Sequence, residues 1–130
     1  MSKRGDQEIR LRLEKGVREF NDEDFFTCHD TLEDVWMDVR GQERLFFQGL
    51  IQVSVGYYHL TCENFPGAEH LLKRGIEKLK GFLPVHRGFD VSGLVSRSSI
   101  TLSEVVDIRN GRLPGLVSLD LPKIAVVAVR

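Results

Sequence analysis

Two helix-like stretches of this chain carry a polar stripe through an otherwise apolar background. The first reads Phe25-Phe26-Thr27-Cys28-His29-Asp30-Thr31-Leu32-Glu33-Asp34-Val35-Trp36, and the second runs from Gln48-Gly49-Leu50-Ile51-Gln52 to Tyr57-Tyr58-His59. At about 100° per residue, His29, Glu33 and Trp36 fall within roughly 60° of one another on one helix face. Gln48, Gln52 and His59 share a face of the second helix by the same spacing. A His and a Glu four residues apart can both reach one point, which makes half of a metal site. With His59 they form a two-His, one-carboxylate set that leaves positions open for water and substrate. Without metal, Glu33 could orient His29 as a general base. A third reading needs no chemistry. Polar groups placed beside a core must find partners, so His29, Glu33, Gln48, Gln52 and His59 could form a closed network that pins helix register. The spacing is not the HExxH of zincins, and the structural network is the favoured reading.

The elements that position these residues are helices. Ile9, Leu13, Val17 and Phe20 recur at helical spacing over Gln7 to Phe20, with charge on the opposite side. The next helix is expected over Asp24 to Val39, capped by Asn21 or Asp22, with a core face of Phe25, Cys28, Leu32, Val35 and Val39 and Gly41 as its stop. Trp36 reads as a core-edge indole whose N–H needs Glu33 or a glutamine. Glu43 to Cys62 is apolar nearly all round and so belongs at the centre of a bundle. Of its two tyrosines, one is expected in the core and the other half-exposed. Asn64 is expected as a left-handed cap, and Pro66 as the opening of a fourth helix lined by Ala68, Leu71, Leu72, Gly75, Ile76 and Leu79. Leu83 to Asp90 reads as a loop in which Gly88 takes a positive φ and Arg87 folds back toward Glu33 or another buried acid. His70 and His86 read as surface residues. Val91 to Ser96 reads as a short helical turn, and Ser99 to Asn110 as a last helix. The run Ile124-Ala125-Val126-Val127-Ala128-Val129 reads as a strand, an interface segment or an extension docked on the body. The fold expected is all-α, a compact bundle of four to five helices with a central apolar helix and an irregular C-terminal tail.

Bulk composition narrows the function. The chain has 130 residues, one domain by length (1–130), with 42% hydrophobic and 28% charged residues. Eighteen Lys+Arg against 19 Asp+Glu leave a net charge of −1, so no nucleic-acid partner is expected. No apolar run approaches the roughly 18 residues of a membrane span, and the first twenty residues lack the apolar core of a signal peptide. Cys28 and Cys62 have no CxxC spacing and read as reduced thiols, which points to a cytoplasmic protein. Walker, GxGxxG, GxSxG and CxxC signatures are absent. No cofactor is evident, and a divalent metal is the one the polar stripe could hold. A small molecule or a protein remains open as partner, as does a homodimer through the apolar tail or a helix face.

The combination of residues is similar to a known family. Phe20-Asn21, Phe25-Phe26, His29, Leu32-Glu33, Trp36, Phe47-Gln48-Gly49-Leu50-Ile51-Gln52, Tyr58-His59, Asn64, Gly67-Ala68, Leu71-Leu72 and Gly88 resemble the domain of unknown function 309 family. The resemblance covers about Arg12 to Val91 and leaves residues 92–130 as a subfamily-specific extension. It implies a small all-α fold without an established biochemical activity, whose members are sometimes labelled predicted metal-dependent hydrolases. This chain departs from the family at Asp30, where a Glu usually follows the His. The acid there is one methylene shorter.

Overall fold

A computed structural model describes residues 3–115 and 121–127. Among them are five helices: α1 (Lys3–Asn21), α2 (Phe25–Trp36), α3 (Gln42–Thr61), α4 (Phe65–Leu79) and α5 (Val91–Arg109). A 3-10 turn (Lys80–Phe82) and two short strands, β1 (Val85–His86) and β2 (Phe89–Asp90), separate α4 from α5. The fold is all-α, as the periodicity predicts. Successive helices pack side by side because the connections after α1, α2 and α3 are only a few residues long.

Apolar spacing places the core where the sequence puts it. Ile9, Leu13, Val17 and Phe20 of α1 and Phe25, Cys28, Leu32 and Val35 of α2 are all buried. The third helix lies at the centre. It packs on α2 and α4, touches α1 where the Phe20 and Tyr57 rings meet edge to face at 5.9 Å, and reaches α5 through the Tyr57 hydroxyl. That hydroxyl lies 3.1 Å from Ser98 Oγ and 3.2 Å from Thr101 Oγ1, so both a buried phenol and a buried serine are satisfied. Tyr57 is thus the core tyrosine and Tyr58 the exposed one.

The first four helices are two copies of one helical hairpin. Residues 40 apart occupy the same seats: Gly16 and Gly56, Phe20 and Leu60, Glu23 and Glu63, Phe25 and Phe65, Cys28 and Ala68, Leu32 and Leu72. Both turns place a glutamate in the left-handed region, Glu23 at φ 64° and Glu63 at φ 58°. Both close with the same hydrogen bonds. The amide of Asp24 donates to Glu19 O (2.9 Å), and that of Asn64 to His59 O (2.8 Å). These bonds satisfy carbonyls left over at the helix end. In each hairpin a leucine of the second helix sits on a bare backbone of the first. A Cβ on Gly16 would lie 2.8 Å from Leu32 Cδ2, and one on Gly56 2.8 Å from Leu72 Cγ.

Several local expectations are corrected by this geometry. The left-handed residue before α4 is Glu63, while Asn64 is the N-cap, its Oδ1 accepting from Gly67 N–H at 3.1 Å. Asp24 stands at the N-cap of α2 without a side-chain cap bond, and Asn21 bonds elsewhere. The second helix ends at Trp36, and Gly41, at φ 64°, opens α3 instead of closing α2. Val91 to Arg109 is one helix, not a turn plus a helix, because Asp90 Oδ1 caps it from Gly93 N–H (2.9 Å) and Ser98 is held inside by Tyr57. The expected loop at 83–90 contains a hairpin with a two-residue turn, Arg87-Gly88, both at positive φ.

The C-terminal run docks on the body. Leu121 and Ile124 are buried, and Val126 bridges Phe89 antiparallel. Asp90 N–H donates to Ala125 O (2.8 Å) and Val127 N–H to Gly88 O (2.7 Å), so the tail adds a third backbone to the hairpin. Asn21 clamps the other side, receiving Ile124 N–H at 2.7 Å and donating to Ile124 O at 3.1 Å. Ala128 and Val129 of the run, and residues 116–120 before it, lie outside the described residues.

Two outcomes test this packing. At Gly75 an added Cβ would meet Val53 Cγ2 at 2.7 Å and two backbone atoms, Gly49 O and Val53 N, at 2.8 Å. Backbone cannot yield as a side chain can, so overpacking outweighs the roughly 1 kcal/mol of helix propensity an alanine adds. Gly75→Ala is expected to lower unfolding stability by about 2 kcal/mol or more in a urea titration, while Gly81→Ala, with open space around it, stays near neutral. The second test concerns thiols. Burial pushes the Cys28 thiol up to about 12, against the opposing hydrogen bond with Ser54, while Cys62 is exposed. One thiol is expected to react with an aromatic disulfide reagent in the native protein, the second only on unfolding. The folded state keeps the Cys28 proton, whereas an unfolded chain releases it above the ordinary 9.0. Stability therefore falls as pH rises from 9 toward 12, and Cys28→Ala removes that share of the slope.

Candidate functional site

The second helix presents His29 on the edge of its buried face, with Asp30 next to it and Glu33 one turn on. His29 Nδ1 lies 3.2 Å from Asp30 Oδ1, and Nε2 lies 3.2 Å from Glu33 Oε1. The imidazole is a quarter exposed, the carboxylates 62% and 52%. The acids are therefore open to solvent and the ring is mostly covered. The approach of Asp30 lacks hydrogen-bond geometry, which leaves Nδ1 a buried ring nitrogen without a hydrogen-bond partner among the described residues. One ligand atom from each of His29, Asp30 and Glu33 can lie within 4.8 Å of the other two. A divalent cation prefers such a mixed nitrogen and carboxylate set, and an unpartnered nitrogen fits a ligand role.

Beside this cluster lies a cavity of about 110 Å³ between α2 and α3, lined by Phe25, Phe26, His29, Val55, Tyr58 and His59. Phe26 and Tyr58 are exposed rings whose centroids lie 5.6 Å apart, and Phe26 leans on His29 at 5.9 Å. His59 is held by the turn that follows it: Asn64 Nδ2 donates to Nδ1 at 3.1 Å. Gly67 makes room for the ring, since a Cβ there would lie 2.9 Å from His59 Cγ. His59 thus lines the cavity that adjoins the carboxylates, and Asp30 completes the converging set on α2.

The other stripe residues have partners of their own. Gln52 Oε1 accepts from Lys78 Nζ at 2.9 Å, across the α3–α4 contact. Gln48 is half-buried one turn earlier on the same helix. The Trp36 indole is covered by the Arg44 guanidinium, 3.8 Å from the ring centroid. Its N–H finds neither Glu33 nor a glutamine and has no hydrogen-bond partner among the described residues. The stripe that looks continuous on a helical wheel is distributed over three contacts: α2 with the cavity, α3 with α4, and Trp36 with Arg44.

A second polar cluster escaped the sequence reading in part. Glu43, in the first turn of α3, holds His86, the last residue of β1, and Arg87, the first residue of the hairpin turn. Its Oε2 lies 2.8 Å from His86 Nε2, and its Oε1 accepts from Arg87 Nε. Arg87 does fold back on an acid, and that acid is Glu43. His86, expected on the surface, is instead a half-buried ring 4.5 Å from Phe46 and 4.9 Å from Phe82, centroid to centroid. The signal available was weak: Phe82 lies four residues before His86, but Phe46 and Glu43 are distant in sequence. His70 is exposed, as expected.

A comparison with known proteins covers the span that holds the His29–Glu33 block. Residues 13–71 match the family described as Domain of unknown function (DUF309), so the resemblance holds over that span. A curated relative, "Uncharacterized protein YpuF" of Bacillus subtilis (strain 168), is 33% identical over 72 residues. That alignment takes in 55% of this chain and 40% of the relative's length. Among the described residues, no helix is long and apolar enough to cross a membrane.

Proposed function

We propose that this protein is a non-catalytic cytoplasmic binding module whose α2–α3 face takes up a cationic group with a small apolar portion. One observation carries the reading: a cavity of about 110 Å³ walled by aromatic rings shares His29 with two exposed carboxylates, each 3.2 Å from its imidazole. That volume equals the liquid share of about three or four waters, enough for a substituted ammonium or the end of a basic side chain. Ring faces attract a cation, and the attraction grows as the cation loses water. Asp30 and Glu33 add rim charge that steers the encounter and selects its sign. Exposed carboxylates suit such a role better than general acid–base work, which gains from burial. Two free cysteines support the cytoplasmic placement.

A second reading rests on a different observation, the convergence of His29, Asp30 and Glu33 within 4.8 Å. In it the three residues hold a divalent cation, with His59 at the edge of the adjoining cavity, and the protein is a metal-dependent hydrolase. A bound metal would supply a polarised water, and the chain would supply the aromatic wall that orients a substrate.

An NMR titration of the uniformly labelled protein separates the two. Tetramethylammonium is expected to shift the amides of Phe26, His29, Tyr58 and His59 saturably. Phe26→Ala, or Asp30→Asn with Glu33→Gln, should weaken that binding about tenfold, near 1.4 kcal/mol. Stoichiometric cobalt(II) binding that disappears in His29→Ala, with no response to the ammonium probe, would replace the proposal by the hydrolase reading. Silence toward both probes would overturn both.

A further inference from the structure

A larger cavity, about 530 Å³, lies between α1 and the docked C-terminal segment. Its walls come from three parts of the chain. One stripe of α1 contributes Arg10, Glu14, Val17 and Arg18, the hairpin tip contributes Arg87 and Phe89, and the tail contributes Val126. The floor is apolar. Val17 and Phe89 are buried core side chains, and Val126 stands beside them 73% exposed with no apolar cover of its own.

The rim is cationic in a chain that is not. Three arginines face one glutamate, although the whole sequence carries a net charge of −1. Glu14 engages Arg10 loosely, at 3.9 Å between exposed side chains. Arg18 is exposed and makes no ion pair among the described residues. Arg87 is the fixed member. Glu43 holds its Nε, its guanidinium carbon stands 5.6 Å from the Phe47 ring centroid, and its backbone sits at φ 49°. A two-residue turn of this mirror-image class favours Asn or Gly there, so the arginine occupies its seat at a cost in backbone energy.

We propose that this cavity binds a small amphipathic organic anion: a carboxylate, sulfonate or phosphate headgroup on an apolar body. Guanidinium forks match the geometry of these headgroups, and the volume is that of an ordinary small-molecule pocket. The apolar body lies on Val17, Phe89 and Val126, and the headgroup meets Arg10 and Arg18, with Arg87 as the preset third donor. The site is independent of the α2–α3 cavity, so neither proposal stands on the other.

The probe is anilinonaphthalene sulfonate, an anion with an apolar body whose fluorescence rises on leaving water. Titrated into the full chain, it is expected to saturate a single site and to be displaced by octanoate but not by inorganic phosphate at equal concentration. Arg10→Gln with Arg18→Gln should weaken its affinity tenfold or more. Val126→Glu, which places a carboxylate in the cavity from an exposed position, should abolish binding. Phe26→Ala, in the other cavity, should leave the affinity unchanged. Circular dichroism and the melting temperature establish that each variant folds. The proposal is overturned if the arginine pair or Val126→Glu leaves the affinity within twofold of the parent, if Phe26→Ala removes it, or if phosphate competes as well as octanoate.

Discussion

A leucine seated on a bare helix backbone sets the geometry of both helical hairpins. Leu32 rests on Gly16 and Leu72 on Gly56, and each contact would be lost to a single methyl group. Close approach of this kind fixes how far one helix can turn or slide against its neighbour, because no side chain is left to give way. The rest follows in order. With α1 fixed on α2 and α4 on α3, the apolar faces of the two hairpins close on each other, and α3 is covered on most sides. Gly75 continues the contact between α3 and α4, its Cα side facing the backbone of Gly49 and Val53. The glycines cost helix propensity in isolation, and the dispersion contacts they admit offset that cost.

The same constraint explains the turns. Each hairpin reverses in three residues, too few for a relaxed loop, so one of them must enter the left-handed region. Both copies use a glutamate there, a residue that pays for the conformation in backbone energy of about 1 kcal/mol. What holds it is the hydrogen-bonded end of the preceding helix together with the packed phenylalanine that follows, Phe25 in one copy and Phe65 in the other. The backbone is overdetermined by its neighbours at both ends.

Helices α1 to α4 were legible because their burial obeys one period, and Ile9, Leu13, Val17, Phe25, Leu32 and Leu72 all lie where that period puts them. What was not legible depends on contacts distant along the chain. Serines at 96, 98 and 99 weaken any helical signal between Val91 and Asn110, and the partner that holds Ser98 inside, Tyr57, is 41 residues away. The 83–90 hairpin has too few residues to show alternation, and its third backbone comes from Ala125 to Val127. The candidate site shows the same division. Spacing on α2 puts His29 beside Glu33, but a helical wheel cannot say that Gln52 turns to Lys78 on α4 or that Trp36 turns to Arg44. The 40-residue repeat was present in the sequence and was hidden by the chemistry of its outer faces, which differ between copies.

That difference bears on what the His29 cluster is for. If the fold needed a polar pin at this seat, the second hairpin would carry one as well. The seats of His29, Asp30 and Glu33 are filled in α4 by Glu69, His70 and Lys73, and there Glu69 is tied to Arg109 of α5 at 3.1 Å. The cavity walls Phe26, Val55, Tyr58 and His59 correspond to Pro66, Lys15, Arg18 and Glu19. The same turn and the same leucine-on-glycine contact are therefore reached with no aromatic wall, no converging acids and no cavity-lining histidine. The buried contacts common to the two copies carry the fold, and the residues found in only one copy are free of that duty. His29, Asp30, Glu33, Phe26 and Tyr58 are all in the second group, and several of them are exposed where burial would have stabilised the protein more. A ligand that meets rings and carboxylates together gives this set of side chains a role that packing does not.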